Sequence, residues 1–133
     1  MAEPRVLAEE IVKALDSKRA QKIEVIQVGD ITILADYFIL CTATSTTQIR
    51  TLADQTEEVA ERLGEQLHHR EGERDSGWVL LDFSTVVVHI FLPEQREFYD
   101  LERLWQDGKS VDLTQLLEES REQRKKELEE NRL

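Results

Sequence analysis

Cysteine is nearly absent from this sequence, with Cys41 the only one, so an internal disulfide is excluded. A structural zinc site also lacks its ligands. His68 and His69 are adjacent, so near a helix end their side chains diverge by about 100° and cannot chelate as an i, i+4 pair does. Glycine is scarce: the five present form neither GxGxxG nor GxxxxGK[ST], which removes the phosphate-cradling loops of nucleotide-binding folds. No GxSxG nucleophile elbow occurs either. No apolar run approaches the roughly eighteen residues that a membrane helix requires. Positive charge is the last shortage, 17 Lys and Arg against 28 Asp and Glu, for a net charge of -11. Such a chain is poorly suited to nucleic-acid phosphates and better suited to a basic partner. Aromatic residues are few, yet both tryptophans and three of the four phenylalanines crowd into Gly77 to Trp105, GWVLLDFSTVVVHIFLPEQREFYDLERLW.

What remains is a charge-rich globular chain of 133 residues, enough for one domain with a core and too short for two. The opening MAEPRVLAEEIVKALD sets acids among its apolar positions and has neither the layout of a secretory signal nor that of a transit peptide, so the chain is expected to act in the cytoplasm. Pro4, Leu7, Ile11, Ala14 and Leu15 give one apolar stripe at helical spacing, acids early and bases late. Lys22 to Val28 reads as a strand whose apolar parity shifts between Val25 and Ile26, which implies a bulge or cover on both faces. After Gly29-Asp30 and a short apolar connection, Asp36 to Thr42 is a near-continuous apolar run, as in an interior strand, and Cys41 reads as a small buried residue within it. Ser45 and Gln48 have capping-box spacing. Ile49, Leu52, Ala53, Thr56, Val59, Ala60, Leu63 and Leu67 then hold helical spacing for about five turns and should pack on a sheet. His68 to Ser76 reads as an exposed polar loop.

Trp78 to Asp82 and Val86 to Leu92 lie too close for anything but an antiparallel hairpin. With Phe83 and Ser84 as the loop, Asp82 opposes Thr85, Leu80 opposes Val87 and Trp78 opposes His89. One face then carries Trp78, Leu80, Asp82, Val87, His89 and Phe91, the other Val79, Leu81, Val86, Val88 and Ile90. The aliphatic face belongs in a core. The mixed face has the chemistry of a contact surface. Pro93 opens a helix expected to continue through Phe98, Leu101, Leu104 and Trp105 until Gly108, with Tyr99 pointing elsewhere. A last helix begins near Asp112, uses Leu113, Leu116 and Leu117, and runs into a charged tail that reads as frayed and solvated. The division expected is a domain over residues 1–112 and a charged helical extension over 113–133.

Catalysis finds little support. Ser45 with His89 as base is conceivable, but capping accounts for the serine. Asp36, Asp82 and Asp100 stand near element ends, yet the hairpin offers only Asp82 where a metal-dependent phosphoryl-transfer site needs two or three converging acids. No cofactor or metal is expected. Asp82 reads either as a strand-end acid in solvent or as a charged member of the contact face, and His89 either as a satisfied core-edge histidine or as an interface residue. Trp78 is the best candidate for an interface anchor.

Taken in order, DYFILCTATS, the Ser45-x-x-Gln48 helix start, GWVLLDFSTVVVHIF and PEQREFYDLERLW resemble the ribosomal silencing factor family, RsfS, also called Iojap or YbeB, over about residues 3 to 112. Two departures touch turn geometry: Ala43-Thr44 stands where the family often has Gly-Asn, and the hairpin tip reads Phe-Ser-Thr where tyrosine, glycine and an acid are common. The resemblance implies an α/β fold, an α/β/α domain with a mixed sheet, similar in topology to nucleotidyltransferases but without their catalytic site. It further implies a non-enzymatic, homodimeric translational repressor. Such a protein binds the large ribosomal subunit through its ribosomal protein number fourteen and blocks joining of the small subunit when nutrients run short, with no direct DNA and no membrane as partners. Organellar relatives imply the alternative of an assembly factor for the large subunit, and a nucleotidyltransferase-like enzyme is the remote one. Carried onto this chain, the contact role falls on Trp78, Leu80, Asp82, His89, Phe91, Tyr99 and Asp100.

Overall fold

A computed structural model of the chain describes residues 3–72, 77–100 and 106–131, apart from the side chains of Phe98 and Tyr99. In chain order the elements are α1 (Pro4–Ser17), β1 (Gln21–Gln27), β2 (Tyr37–Thr42), α2 (Thr46–Arg62), β3 (His69–Glu71), β4 (Trp78–Asp82), β5 (Val86–Phe91), α3 (Pro93–Tyr99), β6 (Lys109–Ser110) and α4 (Thr114–Glu130). Among the described residues the strands form one mixed sheet in the order β3-β4-β5-β2-β1-β6, in which only β2 and β5 run parallel.

β2 is buried along its whole length, as its unbroken apolar run requires of a central strand. Its alternating side chains feed two separate clusters. Tyr37, Ile39 and Cys41 join Leu7, Ile11 and Leu15 of α1 and Ile49, Leu52 and Val59 of α2 in the larger one. Phe38 and Leu40 join Ile26, Val28, Ala35, Val87 and Phe91 in the smaller one on the opposite face. Burial pushes the Cys41 thiol up to about 12, so it stays protonated and inert. Val25 and Ile26 point into the two clusters, so β1 is covered on both faces there. The register irregularity of β1 lies earlier, between Gln21 and Glu24, where Lys22 has φ 48.

Ser45 caps α2 by accepting from the Gln48 N–H at 3.1 Å. Gln48 does not reciprocate to Ser45. Its Oε1 instead accepts from the Thr44 N–H at 2.6 Å, and its Nε2 donates to the carbonyls of Lys18 and Arg19, both at 3.2 Å, which ties the start of α2 to the end of α1. α2 stops at Arg62 and Gly64 takes φ 78, so Leu67 reaches the larger core from beyond the helix.

Four further expectations are corrected. The expected loop His68 to Ser76 contains β3, which pairs antiparallel with β4; its exposed polar side chains suit an edge strand, and Gly72, at φ 92, passes so close to β4 that any side chain there would overlap the Trp78 carbonyl oxygen. The hairpin pairs Asp82 with Val87, Leu80 with His89 and Trp78 with Phe91, two residues away from the expected register. Phe83 is the reason: it is buried in the larger core and its N–H donates to the Val86 carbonyl at 2.9 Å just beyond β4, leaving Ser84 and Thr85 at the tip. A shift of two preserves side-chain parity, and both hairpin faces keep the members expected of them. α3 does not run on to Gly108 as one helix, because Asp100 takes a left-handed conformation, φ 44, at its end; Leu101, Leu104 and Trp105 lie outside the described residues. Finally, the charged tail is a solvated helix as expected but not a frayed one: it is helical through Glu130 and is clasped to α1. Arg121 and Arg124 reach Asp16 at 2.8 and 2.7 Å, and these guanidiniums hold the Asp16 carboxyl below its ordinary value.

Candidate protein-docking face

The helices divide the two sheet faces unequally. Every buried apolar residue of α1 and α2 belongs to the larger cluster, and Leu113, Leu116 and Leu117 around the start of α4 pack against the same cluster. The other face receives α3 at one end. There the largely buried Arg96 donates to the Lys22 carbonyl at 2.5 Å and to Thr42 Oγ1 at 3.0 Å, with Glu24 3.5 Å away. Arg96 thus anchors α3 over the bulged start of β1 and the end of β2, a role that periodicity could not reveal.

On this second face the structure brings together Trp78, Leu80, Asp82, His89 and Phe91. They are not equivalent. Phe91 and His89 are buried, with 1% and 5% of their surface exposed, whereas Trp78, Leu80 and Asp82 are partly exposed. Trp78 lies over Phe91, ring centroids 5.4 Å apart at 16°, and beside His89 at 6.0 Å and 24°. Phe38 meets the His89 ring edge-on at 5.5 Å. The arrangement is a closed aromatic layer with Trp78 outermost.

A hydrogen bond fixes the tryptophan in azimuth as well. Its Nε1–H donates to His89 Nδ1 at 3.3 Å, so Nδ1 carries no proton and the neutral ring carries its proton on Nε2. Burial lowers the His89 pKa to about 4, which keeps the ring neutral at physiological pH. His89 Nε2 is buried without a hydrogen-bond partner among the described residues. Asp82 Oδ1 accepts from the Ser84 N–H at 2.7 Å and braces the hairpin tip. Asp100 is exposed at the end of α3, and the Tyr99 side chain lies outside the described residues.

Sequence reasoning passed over the connection between β1 and β2 as merely apolar. Val28 and Ala35 at its ends are buried in the smaller cluster, while Ile33 and Leu34 project outward. The signal was in the sequence as ILE-THR-ILE-LEU beside Gly29-Asp30, where a polar turn is the usual choice. Among the described residues, no group of three or more His, Cys, Asp or Glu comes together to hold a metal, and no helix is long and apolar enough to cross a membrane.

Comparison with known proteins agrees with this architecture. The family model described as "Ribosomal silencing factor during starvation" matches residues 1–132. The chain is 38% identical over 100 residues to the ribosomal silencing factor RsfS of Bacillus subtilis, covering 75% of this chain and 85% of that one. It is 35% identical over 102 residues to the protein of the same name from Halalkalibacterium halodurans, covering 77% and 87%. A crystal structure of a Chromobacterium violaceum protein superposes with a TM-score of 0.75 at 29% identity, covering 84% of this chain and 92% of that one. The chain belongs to the ribosomal silencing factor family.

Proposed function

We propose that this protein represses translation without catalysis, by seating the Trp78, Leu80 and Asp82 face on the large ribosomal subunit at its ribosomal protein number fourteen. Occupying that position sterically blocks joining of the small subunit, and the need for it arises when nutrients are short. The protein acts in the cytoplasm as a homodimer. The observation that carries the reading is the partly exposed Trp78, held by a stack and a hydrogen bond on the sheet face that α1, α2 and α4 leave to other partners. Anchors of protein interfaces are commonly large aromatics whose orientation is set before contact. Asp82 beside it, on a chain of net charge -11, favours a basic protein surface over ribosomal RNA. His89 and Phe91 serve this face from beneath, and the family resemblance extends the contact role to Tyr99 and Asp100.

Co-sedimentation with purified large subunits tests the assignment. Trp78→Ala is expected to weaken binding by about 2 kcal/mol or more while leaving the circular dichroism spectrum unchanged. Undiminished co-sedimentation would remove Trp78 from the interface. Crosslinking followed by identification of the joined ribosomal protein tests the partner, and a subunit-joining assay separates a block of joining from accumulation of precursor subunits, the signature of an assembly factor.

A further inference from the structure

The connection between β1 and β2 exposes apolar surface that a free loop normally avoids. Ile33 is 102% exposed, Leu34 73% and Ile31 42%, while its ends, Val28 and Ala35, are buried. Scattered single apolar residues on a surface need no explanation, but three within four positions form a patch. The projection is also built. The Val28 carbonyl accepts from the N–H groups of both Ile31 and Thr32 at 3.0 Å, and Thr32 Oγ1 accepts from the Leu34 N–H at 3.1 Å, a side-chain turn that aims the two residues after Thr32 outward. At the far end Val28 N–H donates to the Asp36 carbonyl at 2.8 Å, closing the loop, and Asp36 N–H donates to the Thr85 carbonyl of the hairpin tip at 2.8 Å. These bonds define the shape of the tip.

The loop is continuous with the docking face. Val28 and Ala35 lie in the same apolar cluster as Phe91 and Val87, against which Trp78 and Leu80 pack. Its bond to Thr85 places it beside the hairpin tip that Asp82 braces. Charge selects among occupants. Asp30 and Asp36 flank the apolar tip and Asp82 stands across the hairpin turn, with only Lys109, 3.4 Å from Asp30, as a described salt-bridge partner of these three acids. A second copy of this chain docked loop to loop would bring those acids together, whereas a basic partner would neutralise them.

We propose that Ile31, Ile33 and Leu34 form a second docking element, which inserts into an apolar recess on the same basic ribosomal protein surface that receives Trp78. The inference rests on the docking reading above. Binding is then bipartite, with an aromatic anchor at one end of the sheet face and an aliphatic tip at the other, and acids between and around them set the register.

The test uses the full chain, co-sedimented with purified large subunits, and compares Ile33→Ser/Leu34→Ser, Trp78→Ala and the unaltered protein. Because both serines replace side chains in solvent, the thermal midpoint should stay unchanged. The loop variant is expected to bind about tenfold more weakly or worse, in keeping with removal of an interface hot spot. Full binding by the loop variant together with weakened binding by Trp78→Ala overturns the second element and leaves the docking face standing. Full binding by both variants overturns the face and the loop alike. Sedimentation equilibrium is the further discriminator: if the loop variant binds subunits normally but loses self-association, the tip belongs to a contact between copies and the proposal fails.

Discussion

The two faces of the β4-β5 hairpin alternate along the same two strands, five residues in β4 and six in β5, yet they have been put to different uses. Val79, Leu81, Val88 and Ile90 point into the larger cluster under α1 and α2, where they are fully or almost fully buried. One residue away along each strand, Trp78, Leu80 and Asp82 stay partly exposed over the buried His89 and Phe91. The first face is uniformly aliphatic, and its burial contributes mainly to stability. The second holds rings, an imidazole and a carboxylate, whose directional preferences constrain how a partner can sit. Stability and recognition are therefore separable here by strand parity alone.

The sharpest way to break that separation is to shorten neighbouring leucines. Leu81→Ala should lower stability by about 2 to 5 kcal/mol, because the side chain is wholly buried among α2 and β5 and the site cannot fully collapse. Leu80→Ala should cost about 1 kcal/mol or less of stability, yet weaken co-sedimentation with large subunits. Chemical denaturation of both variants, read beside binding, checks the contrast. Equal destabilisation by the two would mean that the second face is a core like the first.

The faces should also lose stability in different pH windows. His89 has its pKa lowered by burial from 6.5 to about 4. Between those values the unfolded chain takes up a proton and the folded one does not, so stability falls as pH drops from about 6.5 towards 4. The loss is on the order of 3 kcal/mol at the lower end. His89→Phe should flatten this window in a series of thermal melts, and it also removes the unpaired Nε2 donor, while loosening Trp78 through loss of its acceptor.

The clasp on the helix layer answers at lower pH. Arg121 and Arg124 hold the Asp16 carboxyl below its ordinary 3.8, so its contribution is complete above that value and disappears as pH falls through the lowered one. Asp16→Asn should lose this acid dependence and leave the His89 window intact. The effect is the smaller of the two, because both guanidiniums remain in reach of solvent.

Much of this was legible in the sequence because it depends on local pattern. The unbroken run of β2, the stripe of α2 and the alternation of the hairpin each report burial directly, and parity survived an error of two in the hairpin register. What escaped depends on contacts distant in sequence. Asp16 and Arg121 are 105 positions apart, and no periodicity announces their meeting. Arg96 reaches Thr42 across 54 positions by the same token. β3 is three polar residues whose pairing is visible only once β4 is in place. On the hairpin, strand alternation told which residues share a face but not their depth: it could not tell that His89 and Phe91 lie beneath Trp78.

The hairpin tip gives the finest comparison, between Ser84 as it stands and a glycine in its place. Ser84 takes φ 75, and the Thr85 N–H donates across it to the Phe83 carbonyl at 3.0 Å, a γ-turn in the left-handed region that a side chain disfavours. Glycine at this position would carry no such penalty. Ser84→Gly should therefore raise stability, by somewhat less than about 1 kcal/mol, since the relief of strain is partly offset by the greater freedom glycine gives the unfolded chain. The bond from the Ser84 N–H to Asp82 uses backbone and survives the change. Binding to large subunits should accordingly be unaltered while the denaturation midpoint rises. A fall in binding without loss of stability would show instead that the serine side chain itself meets the partner, and would extend the docking face around the tip to the loop at Ile33.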